Sequence, residues 1–75
     1  MYTKDDCPNC MRAKMLFLHC PVYVEVVEKN IDRNEEYKKQ LEFNHGSYIV
    51  PTFVFGNGHV ERGFNEGKIM EVLGL

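Results

Sequence analysis

The sequence predicts an α/β fold built on a single mixed sheet. Three observations point to it. The elements follow the order β-α-β-α-β-β-α, the first two strands are joined by a helix, and the last two meet across Gly56-Asn57-Gly58. A helical crossover makes its two strands parallel, whereas a short turn makes its two antiparallel. One four-stranded sheet with three helices on its faces buries every apolar stripe in a single arrangement.

Each element has a local reason. Met1 to Thr3 is a short extended run containing an aromatic and a β-branched residue. Pro8 suits a first helical turn, where its missing N–H is not needed, and the pattern predicts a helix from Pro8 to His19 that Pro21 stops. Met11, Ala13, Met15, Leu16, Phe17 and Leu18 wrap most of that cylinder, leaving Arg12 and His19 a polar side. Val22 to Ile31 is rich in valine and partly alternating, so it reads as the second strand. Asp32 followed by Glu35 resembles a capping box, with Asn34 as the competing cap. The second helix then spans about Asn34 to Asn44, with Tyr37 and Leu41 inward and Gly46 at its end. Val50 to Phe55 is a buried strand with Pro51 near its start, where a strand tolerates proline. His59 to Glu61 pairs back on it as a hairpin. Asn65 caps a third helix whose Ile69, Val72 and Leu73 form one apolar face.

Composition narrows the function classes. Seventy-five residues make one domain, 1–75, with a small core, because a chain this short buries only ~60–65% of its unfolded surface. A hydrophobic content of 44% and a charged content of 27% are ordinary for a globular domain. A net charge of −2 supplies no basic field for nucleic acid and no polybasic membrane patch. No segment approaches the ~20 apolar residues of a membrane span. The N-terminus lacks the order of a signal peptide, so a cytoplasmic monomer is expected. Three cysteines, an odd number, fit a secreted disulfide framework poorly.

The chemistry concentrates in Cys7-Pro8-Asn9-Cys10. Cysteines three apart on an opening helical turn share a face, so their sulfurs can close a disulfide. The loop so closed is too short to stabilise much through chain entropy, so the bond's use lies in opening and closing. Cys7 falls just before the helix, at the N-cap or next to it, where orphan N–H groups and the helix dipole favour a thiolate and lower its pKa from about 8.5. Lys4 adds to this effect, and Asp5 and Asp6 oppose it. Cys10, one turn deeper, keeps its proton longer and acts second. A structural pair is one alternative. Zinc is another, but CxxC supplies two of four ligands, and only His19, Cys20, His45 and His59 remain as candidates. His19 and Cys20 also read simply as a solvent-facing histidine and a packed small residue.

Tyr2-Thr3-Lys4 followed by Cys7-Pro8-Asn9-Cys10-Met11-Arg12-Ala13-Lys14 resembles the glutaredoxin pattern Y-[ST]-K-x-x-C-P-x-C-x-R-A-K. Asn30-Ile31-Asp32, Val50-Pro51 and Gly63 to Asn65 match further landmarks of that family in order. The resemblance implies a minimal thioredoxin fold and a dithiol–disulfide oxidoreductase with Cys7 as nucleophile and Cys10 as resolving thiol. It also implies a cis Val50–Pro51 peptide beside the cysteines, with the Val50 backbone open to an extended substrate. Lys4, Asn9, Val50, Pro51, Gly63, Phe64 and Asn65 then form the substrate or glutathione rim. No bound cofactor or metal is implied; glutathione is the expected co-substrate, with thioredoxin reductase as the other source of electrons.

The chain also departs from the family pattern. Asn9 replaces the usual aromatic, Arg62-Gly63 replaces Gly-Gly, and Asn65 replaces an Asp that meets the glutathione amine. Asp6 and Gly63-Phe64 resemble the NrdH-redoxins, electron donors to ribonucleotide reductase that thioredoxin reductase reduces, although Pro8 does not. A reductase of that kind is therefore an expected partner. Phe64 also reads as a core residue at the entry to the third helix. A carrier of a shared iron–sulfur cluster is the alternative function. The family's dedicated carriers usually keep one cysteine, which sets Cys10 against it.

Overall fold

The fold comes from a computed structural model that describes all residues, Met1–Leu75. Strand β1 is Tyr2–Thr3, helix α1 is Pro8–His19 and strand β2 is Lys29–Asn30. Helix α2 is Glu35–Lys39, continued as a π-helical turn over Gln40–Asn44. Strands β3 (Thr52–Val54) and β4 (Val60–Arg62) and helix α3 (Glu66–Val72) complete the chain. The sheet order is β2-β1-β3-β4. Strands β1 and β2 are parallel, and the β1–β3 and β3–β4 pairs are antiparallel. This is the minimal thioredoxin fold.

Helix α1 has the predicted limits. Pro8 sits in its first turn, and Cys20 is extended before Pro21. Only Cys10, Ala13 and Phe17 of this helix are buried. Met11, Met15 and Leu18 stay exposed. A helix lying on one sheet buries one stripe, and so small a molecule has nothing to cover the rest. Ala13, Phe17, Phe53 and Ile69 form the core, flanked by Leu16, Phe55, Phe64 and Leu73. Phe17 meets Phe53 edge-on with ring centroids 5.8 Å apart.

The second strand is much shorter than the expected Val22–Ile31. Only Lys29–Asn30 pairs with β1, and Val22, Tyr23, Val26 and Val27 are exposed. The alternation is real, but pairing needs a neighbour, and β1 spans only Tyr2–Thr3, opposite Lys29–Asn30. Asn34, not Asp32, caps α2, its Oδ1 accepting from the Glu36 N–H at 2.9 Å. Leu41 is buried as expected, while Tyr37 is half-buried under the Lys29 ammonium.

The hairpin turn is a four-residue turn closed by Gly58 N–H to Phe55 O at 2.9 Å, with Gly58 at φ +89. That is the turn-plus-bulge geometry of a three-residue hairpin loop. Helix α3 ends in a Schellman motif. Leu75 N–H reaches Met70 O and Gly74 N–H reaches Glu71 O, with Gly74 at φ +78.

Candidate active site

Cys7 is the N-cap of α1, extended at φ −113, ψ 99. Its Sγ accepts from the Cys10 N–H at 3.2 Å, so the sulfur lies against an amide that has no helical partner. Cys7 and Cys10 are joined as a disulfide, with Cα atoms 5.2 Å apart. The two sulfur sites differ in access. Cys7 is half-buried, whereas Cys10 is 2% exposed.

The loop before the pair is tied down from below. Asp5 N–H donates to Asp32 Oδ2 at 3.0 Å. The Asp5 carboxylate accepts from Asn30 Nδ2 and Arg33 Nε, each at 3.1 Å. Asn30 first, then Arg33, hold the Asp5 carboxyl below its ordinary pKa. Of the two carboxylates expected to oppose a thiolate, Asp5 is thus paired with Arg33. Asp6 takes φ 52, the one non-glycine residue in the left-handed region. Lys4 is exposed, shares a cleft with Cys7 and Cys10, and has no ionic partner in the chain.

The other rim residues fall into groups. The Val50–Pro51 peptide is cis, with Pro51 buried and Val50 half-buried. Gly63 sits at φ +84, where a side chain would be strained, and its N–H donates to Pro51 O at 2.7 Å. That bond ties the segment before α3 to the proline loop. Phe64 packs against the core, as its core reading expects, and also lines a groove with Pro8 and Met11. Asn65 Oδ1 is occupied as the cap of α3, accepting from Lys68 N–H at 3.1 Å. Asn9 is exposed, its Oδ1 held by Arg12 Nη1 at 2.6 Å. Arg62 is spent on the His45 carbonyl at 2.6 Å.

Two buried hydroxyls at this site, Ser47 and Thr52, went unnoticed in the sequence. They flank the proline loop and bond to each other at 2.9 Å. The available signal was a pair of hydroxyl residues bracketing a short segment that ends in proline, within an otherwise apolar run. Cys20 is free at the far end of α1, its Sγ within 3.1 Å of Val22 O. No three His, Cys, Asp or Glu side chains converge on a metal-binding point.

The glutaredoxin family model matches residues 1–60, four-fifths of the chain. The chain belongs to the glutaredoxin family. The matched span takes in both cysteines and the cis proline and ends before Arg62-Gly63, where the glutaredoxin pattern is altered. Among solved structures, the thioredoxin-like protein BC3987 is similar at 31% identity over 95% of this chain and 93% of that one, with a TM-score of 0.83. A point mutant of that protein gives 30% identity over 96% and 93%, with a TM-score of 0.84. No curated protein sequence matches the chain significantly. A Cys7–Cys10 disulfide in a glutaredoxin-family chain of thioredoxin fold supports a thiol–disulfide oxidoreductase role. No helix is long and apolar enough to cross a membrane.

Proposed function

We propose that this chain reduces disulfides in other proteins by a dithiol mechanism, with Cys7 attacking and Cys10 resolving. The observation that carries the reading is the unequal access of the two sulfurs: Cys7 at the mouth of α1, Cys10 almost wholly enclosed. In the reduced chain the Cys7 thiolate attacks one sulfur of the substrate disulfide. A mixed disulfide forms and the first substrate thiolate leaves, taking a proton from solvent. Cys10 then gives up its proton and attacks the Cys7 sulfur, and the second substrate thiolate leaves. Two electrons pass to the substrate, and the chain is left with the Cys7–Cys10 disulfide.

Glutathione is the family's usual co-substrate, but two features weaken its grip here. Asn65, which stands where the family has Asp, is spent as a helix cap and leaves the adjacent Glu66 to compensate, and Arg62 is held by the His45 carbonyl. These departures favour a protein disulfide as substrate and re-reduction by thioredoxin reductase, chemistry that suits a reducing, cytoplasmic setting. An oxidised ribonucleotide reductase is the target the NrdH-like residues suggest. The reductase is tested by supplying oxidised protein with NADPH and either glutathione plus its reductase or thioredoxin reductase. Faster NADPH consumption with thioredoxin reductase is expected. The two-thiol assignment is tested by Cys10→Ser, which should accumulate mixed disulfides with protein substrates. Turnover at the parental rate without glutathione would end that assignment.

A further inference from the structure

We propose that Ser47 and Thr52 are positioning residues that aim the Val50 amide at an extended substrate; this rests on the protein-disulfide reading above. Both hydroxyls are buried, at 2% and 0% exposure. Thr52 Oγ1 lies 2.8 Å from the Ile49 carbonyl oxygen and 2.9 Å from Ser47 Oγ. The Ile49 N–H donates to Ser47 Oγ at 3.3 Å. The Ser47 hydroxyl also lies 3.3 Å from the Ile49 carbonyl oxygen, a longer alternative for its proton, and one proton arrangement satisfies the other three bonds. The Ile49 amide donates to Ser47, the Ser47 hydroxyl donates to Thr52, and the Thr52 hydroxyl donates to the Ile49 carbonyl. The ring closes on a single residue and spends both of its backbone groups inward.

The consequence falls on the next peptide group. The Ile49 carbonyl and the Val50 N–H belong to one planar unit, and that unit is trans, because Val50–Pro51 is the chain's sole cis bond. In a trans peptide the C=O and N–H point in opposite directions. With its carbonyl held by a buried hydroxyl, this unit turns the Val50 N–H away from the interior. That amide has no acceptor within the chain. The Gly63 N–H meanwhile fixes the Pro51 carbonyl at 2.7 Å. The loop is therefore held on both sides of Val50, and one donor is left for an incoming strand. A small disulfide without a peptide backbone makes no use of that donor, so the hydroxyl ring sets a preference for polypeptide substrates.

The test compares two substrates on Thr52→Val, Ser47→Ala and the conservative Thr52→Ser. One substrate is a short unstructured peptide whose single cysteine is linked to 2-mercaptoethanol, and the other is bis(2-hydroxyethyl) disulfide. Loss of one aligned hydrogen bond predicts a KM for the peptide about three- to tenfold higher in Thr52→Val and Ser47→Ala, at unchanged kcat. The small disulfide should be reduced at the parental kcat/KM, and Thr52→Ser should behave as the parent on both. An equal loss on both substrates means a general structural role and overturns the proposal, as does no loss on the peptide. Should Thr52→Val fail to fold, Ser47→Ala and the shift of the Val50 amide resonance on peptide titration of the parent decide the matter. Absence of that shift overturns the proposal. A parent protein that reduces neither substrate removes the proposed function itself, whereas parental reduction of both with indifferent variants removes only the positioning role.

Discussion

At the scale of single residues, one carboxylate ties three elements together. Glu28, just before β2, accepts from the Thr3 hydroxyl and from Lys14 Nζ, each at 2.7 Å. It thereby links β1 and α1 to the start of β2. The Lys14 ammonium, and to a lesser degree the Thr3 hydroxyl, hold the Glu28 carboxyl below its ordinary pKa. A depressed carboxyl contributes stability above its unfolded pKa and loses that contribution as pH falls through the folded value. Glu28→Gln should therefore unfold at lower denaturant at pH 7, and its gap to the parent should narrow at pH 3. The pair is well exposed, so solvent screening limits the difference at pH 7 to about 1 kcal/mol or less. Urea titrations at the two pH values check the sign. The cysteines were legible at this scale, since their spacing and Pro8 define both the helix start and the chemistry. The Ser47–Thr52 ring was not, because its partners meet only when the chain folds back across the proline loop.

At the scale of elements, the caps carry most of the local information. The sequence offers Asn65 as both a rim residue and a cap, and the structure spends its oxygen on the Lys68 amide. Asn65→Ala should cost about 1 kcal/mol of stability, while Asn65→Asp, which can still cap, should cost little. Thermal melts of the two variants distinguish a cap from a side chain that acts only on substrate. Helix α1 could be read end to end because prolines mark both limits. The second strand was overextended because valine alternation describes a surface able to pair, not a neighbour to pair with. The π-helical turn over Gln40–Asn44 was hidden, since a widened turn leaves no mark in a pattern read at the α-helical period. Its outcome is visible: the Ser47 N–H reaches back to Leu41 O at 3.1 Å, and Ser47 is buried next to Thr52.

At the scale of the molecule, stability is concentrated in a few side chains. Eleven of 75 residues are buried, and four of them, Ala13, Phe17, Phe53 and Ile69, make the core between the sheet, α1 and α3. A domain of this length has about 4–11 kcal/mol of total stability. Phe53→Ala removes the ring that touches both Phe17 and Phe55, at a cost of about 3–5 kcal/mol. That takes a large share of the total, so the variant should be substantially unfolded at 37 °C by far-UV circular dichroism. Retention of a cooperative melt close to the parent's would mean that the core is wider than these four residues. The fold class and the β1–β2 and β3–β4 pairings were legible because crossover and turn dictate them, whereas the antiparallel β1–β3 pairing that joins the two halves was not. Which apolar side chains are buried was not, since a helix that is apolar on most sides does not say which stripe meets the sheet.

The valine-rich stretch from Val22 to Val27, which leads into the edge strand β2 without being paired itself, leaves a liability outside the redox chemistry. In a crowded or partly opened population it is the segment best suited to stack with copies of itself into fibrils. Glu25 is the only charge within that stretch and acts as a gatekeeper against such stacking. Glu25→Val should shorten the lag before thioflavin-T fluorescence rises and leave disulfide reduction by fresh protein unaltered.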